Sequence, residues 1–239
     1  MNKLLKFELH NLFRQIIVYI ILVIMLGFLL LNNYPSRYLL EYGYDMENMM
    51  VEILTNGYFT YFLAAIIPFI VCRDYEQNVI KNIYAKGYTK EKVYTAKFIF
   101  SIIVTAGLFL IAIAVGTIEA VGVFGWNKTH VFDILTAQLF AMLAYAAFYN
   151  LFSQIFKKSG ISIAFLLFVP PLGGLLLDTL DYSLNLPISF GDFWITQTMA
   201  YLHSGTIDTK EIVLSIITSV VYIVGCYFIG KAVIKKQYK

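Results

Sequence analysis

The chain has 239 residues, of which 59% are apolar and 14% charged, with a net charge of +3. A water-soluble domain of this size could not cover that much apolar area with so few charges, so lipid is the solvent for most of the chain and a nucleic-acid partner is not expected. Cys72 and Cys226 show no C-x-x-C spacing, and His10, His130 and His203 are scattered, so neither a disulfide framework nor a metal site is implied.

From the N-terminus, Leu5, Leu9, Leu12, Phe13 and Ile16 recur at helical spacing while Lys3, Lys6, His10 and Arg14 fill the other side. Residues 1–14 therefore read as an amphipathic helix lying in the membrane interface. Six apolar runs follow, each long enough to cross a hydrocarbon core of about 30 Å. They cover Gln15–Leu31, Gly57–Cys72 with Pro68 inside, Phe98–Val123, Ile134–Phe156, Gly160–Leu177 with Pro170, Pro171, Gly173 and Gly174 inside, and Ile212–Gly230. The first could pass for a signal peptide, but Leu31 to Pro35 offer no small-residue cleavage site, so it reads as a retained anchor.

Sorted by these runs, fifteen basic residues fall on one side and only Arg37, Lys128 and Lys210 on the other. The positive-inside rule then places both termini in the cytoplasm. The segment 178–210, with Asp178, Asp181, Asp192 and Asp208 among Leu180, Leu184, Leu186, Phe190, Phe193 and Trp194, is expected outside, partly returning into the membrane interface. Glu119, near the outer end of the third run, is either part of a polar translocation path or a hydrated surface carboxylate. Gly225 to Ala232 fit the G-x-x-x-x-G-K part of a phosphate-binding loop. Ala232 lacks the hydroxyl that would ligand magnesium, and no strand precedes the run, so the glycines are expected to pack helices and Lys231 to anchor a helix end.

The most informative stretch is 73–97, between the second and third runs. Val79, Ile80 and Ile83 lie on one side of a short amphipathic helix, basic residues surround it, and Gly87 is expected to stop it in a left-handed conformation. Glu76 is expected at the start of that helix, where the dipole favours a carboxylate. The stretch resembles the ABC-2-type permease pattern: an acidic residue at Glu76, an N-G-T-I-K-N-like segment at Asn78 to Asn82 including Lys81, the glycine at Gly87 followed by Tyr88, an S-R-like pair at Thr89 and Lys90, and a membrane-helix lysine at Lys97. Val79 replaces the threonine, the extra glycine is absent, and Lys90 stands for arginine.

The layout is similar to the small permeases of bacteriocin, lantibiotic and cytotoxic-peptide export or immunity systems. The resemblance implies an all-α membrane protein of the type V-like exporter class, with 1–239 forming one permease domain in a bacterial cell membrane. It implies that 73–97 is a coupling segment docking on a separate ATPase, two copies of which bind ATP and magnesium, while this chain carries no cofactor and is no enzyme. A second permease copy or paralogue, and an amphipathic peptide, drug or lipid-like cargo moved outward, complete the expected partners. The rival classes are a membrane-embedded enzyme, for which apart from Glu119 the helices offer no paired catalytic groups, and an ion-coupled transporter, for which no internal repeat is evident.

Overall fold

The computed structural model describes residues 2–33, 58–124, 132–184, 189–200, 202 and 209–236. Among them all regular structure is helical: α1 (Asn2–Phe13), α2 (Ile16–Asn33), α3 (Tyr58–Glu76), α4 (Val79–Ala85), α5 (Lys90–Phe124), α6 (Phe132–Phe156), α7 (Ser159–Leu184), a 3-10 turn (Gly191–Phe193), α8 (Gln197–Ala200) and α9 (Thr209–Lys236). Five helices (α3, α5, α6, α7 and α9) are long and apolar enough to cross a membrane. The pair α1 and α2, bent by 68°, makes a sixth if counted as one span. These are the helices of a multi-pass membrane protein.

The bundle is built around α6, which packs against α3, α5, α7 and α9. Its sequence explains its place, because Ala137, Ala141, Ala144, Ala146 and Ala147 are all fully buried and let neighbouring helices approach closely. The outer surfaces of α7 and α9 are the reverse of a soluble protein's. Phe168, Leu172, Leu175 and Leu176 on α7, and Val221, Val224, Phe228 and Ile229 on α9, all face outward, as lipid permits and water does not.

At one end, the C-terminal ends of α3, α6 and α9 meet the N-terminal ends of α5 and α7. Tyr75 reaches Gln154, Glu76 reaches Ser159, and Lys231 pairs with Glu91 at 3.4 Å. The described members of the fifteen basic residues lie on the segments that meet here, while Lys210 sits at the start of α9. At the other end, part of the 178–210 segment folds back against the bundle. The Trp194 ring lies over Gly173 and its indole N–H donates to the Pro170 carbonyl at 2.7 Å, while Ile195, Thr198 and Leu202 are buried. Arg37, Gly57, Trp126, Lys128, His130, Leu186, His203 and Asp208 lie outside the described residues.

Candidate coupling site at the basic end of the bundle

Asn78 adopts a left-handed conformation (φ 58°) between α3 and α4. Asparagine tolerates this conformation better than most residues, and it provides here the sharp turn for which a glycine is the usual choice. The N–H groups of Lys86 and Gly87 close α4 on the carbonyls of Asn82 and Tyr84 at 3.2 and 2.9 Å, and Gly87 then turns with φ +83°. The expected glycine stop is therefore present. Thr89 caps the next helix, its hydroxyl accepting from the Lys92 N–H at 3.4 Å, and Lys90 opens α5.

The apolar side of α4 does not face outward as a docking face. Ile80 and Ile83 are buried against Leu4, Val93 and Ala96, with Phe7, Val79 and Tyr88 packed around them. α1 lies over this cluster and supplies the cover, so the apolar stripe serves internal packing. The side of α4 left exposed carries Lys81, Asn82 and Ala85, with Asn78, Lys86 and Gly87 exposed at its two ends.

Glu76 also differs from expectation. It is the last residue of α3, and its carboxylate accepts from the Ser159 N–H at 2.6 Å and the Ser159 hydroxyl at 2.8 Å. It therefore caps α7 and not α4, placing a negative charge at the positive end of the α7 dipole. The turn that brings Ser159 into reach passes through Lys157, itself left-handed at φ 59°.

Beneath this surface lies a buried ion cluster that the sequence pattern conceals. Lys97 is 1% exposed; its ammonium contacts the Asp74 carboxylate directly and the Glu8 carboxylate at 3.0 Å. Asp74 and Glu8 are each 3% exposed. One cation from α5 thus ties together α1 and α3. Two carboxylates share one ammonium, and burial pushes the Glu8 carboxyl above the usual carboxylate range, with Lys97 only partly offsetting it.

A hydrogen-bonded chain extends the cluster into α6. The Tyr75 hydroxyl donates to Gln154 at 3.0 Å, Gln154 donates to Asn150 at 3.1 Å, and Asn150 donates to the Lys97 carbonyl at 3.1 Å and the Ser101 hydroxyl at 2.8 Å. Arg73 adds a bond to the Asn11 carbonyl at 3.4 Å. Through these contacts α1, α3, α5 and α6 are tied together at this end, and α4 is packed against α1 and α5.

No family model and no curated protein matches the chain. The predicted coupling residues Glu76, Asn78, Lys81, Asn82, Gly87, Tyr88, Thr89 and Lys90 all gather on this one end, where Tyr88 packs inward. Glu119 does not join them. It is half-buried on α5, 22 residues beyond Lys97 and so roughly 33 Å along the helix axis. Glu8 and Asp74 are the participants that sequence reasoning missed. In the structure Lys97 lies seven residues inside α5, a position that calls for a counter-charge but that the run beginning at Phe98 did not reveal.

The near-match to a phosphate-binding loop lies wholly within α9, so it forms no loop. A Cβ on Gly230 would overlap the Tyr94 hydroxyl, which donates to the Cys226 carbonyl at 2.9 Å. Gly230 is thus a contact point between α5 and α9, and Lys231 pairs with Glu91.

Proposed function

We propose that the chain is the membrane permease subunit of an ATP-binding cassette exporter, with α4 as the element that docks on a separate ATPase. The observation that carries the reading is the joint just described. A short helix presents a polar, basic face outward while its apolar face is fixed to α1 and α5, and the neighbouring Lys97 cluster fixes these in turn to α3 and α6. A push on α4 is therefore delivered to membrane helices instead of being absorbed by a loose loop.

On this reading the basic end is cytoplasmic, as the positive-inside rule requires, and the termini lie there too. ATP and magnesium are bound by the partner, two copies of which serve a pair of permeases in a bacterial cell membrane. Closure of the ATPases shifts the helices between two states, and an amphipathic molecule leaves on the far side. The outward apolar surfaces of α7 and α9 are available to lipid and to the second permease.

The test is affinity purification of the chain from native membranes in mild detergent. The expected result is a stoichiometric soluble partner carrying a full G-x-x-x-x-G-K-[ST] loop. A chain that purifies alone, with efflux of all cargo unaffected by ATP depletion, would overturn the proposal.

A further inference from the structure

An apolar groove runs between α6 and α9 on the flank of the bundle. It holds about 440 Å³, its walls expose no polar atom, and they include Phe148, Leu151 and Ile155 of α6 and Val221, Gly225 and Ile229 of α9. Above Gly225 the space is open, because a Cβ placed there would meet no atom within 4 Å. At one end, Phe148 packs edge-on against Tyr222 and Trp194, with ring centroids 6.4 and 6.5 Å apart, and the Tyr222 hydroxyl donates to the Phe193 carbonyl at 3.2 Å. The other end, at Ile155 and Ile229, opens toward the basic end of the bundle.

The dimensions match one membrane leaflet. α9 has 28 residues, about 42 Å, against roughly 40–45 Å for a bilayer with its headgroups, so Val221, near its middle, sits close to the bilayer midplane. Ile229 is eight residues further on, about 12 Å, still within the roughly 15 Å of hydrocarbon in one leaflet. Lys236 lies two further turns along the same face, about 22 Å from Val221 and hence at headgroup depth. Lys158, just past Ile155 at the turn into α7, is its counterpart on the α6 side. Both lysines are exposed, and neither makes an ion pair among the described residues.

We propose that this groove binds one anionic phospholipid of the leaflet at the basic end. One acyl chain lies along Gly225 with its methyl end against the aromatic cluster, the second chain stays in the bilayer, and the headgroup sits between Lys158 and Lys236. A soluble partner has no access to a wall that lies in hydrocarbon. A second copy seated groove to groove would bring its own Lys158 and Lys236 against these two, since a two-fold contact uses the same patch on both sides, and like charges repel. An anionic headgroup instead neutralises both lysines, each of which adds to attraction at a negative lipid surface. The inference needs only the multi-pass fold and stands apart from the permease reading.

The experiment counts the lipids retained by the purified chain in mild detergent by native mass spectrometry. Dioleoyl phosphatidylglycerol, an anion, is titrated against dioleoyl phosphatidylcholine, which has the same chains and no net charge. The expected result is one phosphatidylglycerol per chain, held at least about tenfold more tightly than phosphatidylcholine. Lys158→Gln with Lys236→Gln, both at exposed positions, brings phosphatidylglycerol down to the phosphatidylcholine level and leaves phosphatidylcholine unchanged. Gly225→Leu fills the groove and weakens both lipids by about tenfold, while the thermal midpoint of the lipid-free protein does not fall, because the new side chain enters open space. Equal binding of the two lipids, a lysine double variant that keeps the preference, or a Gly225→Leu protein of parental midpoint that retains phosphatidylglycerol overturns the proposal. A dimer of the chain that Gly225→Leu dissociates does so too, because the groove would then hold a second copy. If Gly225→Leu lowers the midpoint, the lysine pair alone decides the outcome.

Discussion

Replacing Lys97 with methionine removes one cation and leaves the Glu8 and Asp74 carboxylates facing each other in a site that water does not reach. Breaking a buried ion pair from one side costs about 3–5 kcal/mol, because the abandoned charge must be protonated or drag solvent inward. For a chain of this length each kcal/mol lowers the thermal midpoint by about 2–4 °C, so Lys97→Met should fall by about 6–20 °C. The triple variant Glu8→Leu, Asp74→Leu, Lys97→Met leaves no orphaned charge and should return near or above the parent midpoint, as apolar replacements of buried ion clusters do. The assay is thermal unfolding of the three proteins in the same nanodiscs, with abundance in membranes measured in parallel. A single variant within about 2 °C of the parent, or a triple variant no better than the single, would refute the account of the cluster.

Further outcomes follow from the same geometry. Because the Glu8 carboxyl is raised by burial, its protonated form favours the docked α1, so this contribution is present at low pH and is lost as pH rises through the raised value. A spin label at position 3 should therefore gain mobility as pH rises over that window, and Glu8→Gln should flatten the response. Glu76→Lys puts a cation at the α7 N-terminus and should cost about 0.5–2 kcal/mol, whereas Glu76→Gln, which keeps an acceptor for Ser159, should cost less; thermal midpoints of the two variants check the order. Gly230→Val should push α9 off Tyr94 and lower abundance, while Gly225→Ala, with no neighbouring atom within 4 Å of the added methyl, should be tolerated.

Much of the fold was legible because the solvent imposes it. Runs such as Ile134–Phe156 and Ile212–Gly230 must be helical to satisfy their backbone in lipid, and the helices extend them only to Phe132–Phe156 and Thr209–Lys236. Local chemistry was legible too, since the Gly87 turn depends on its own backbone. The third helix begins at Lys90 and not at Phe98, because its first two turns are polar yet still helical, and a hydropathy criterion cannot see them. What stayed hidden was long-range pairing. Glu8 sits between Lys6 and His10 and resembles a solvated face, while its partner is 89 residues away. Ser159, 83 residues from Glu76, likewise gives no sign of being a capped helix start. The amphipathic pattern of α4 was legible but its cover was not, since periodicity tells which side is apolar and not whether the same chain supplies the surface that buries it.

The claim on which the functional reading turns is that the exposed basic face of α4 meets an ATPase. Lys81→Glu with Lys86→Glu reverses that face at two exposed positions outside the buried cluster, so abundance and thermal midpoint should remain those of the parent. Measured in one membrane preparation, the account predicts that the double variant is present at parental levels but loses the co-purifying ATPase and cargo efflux together. Retention of both at parental levels would contradict it.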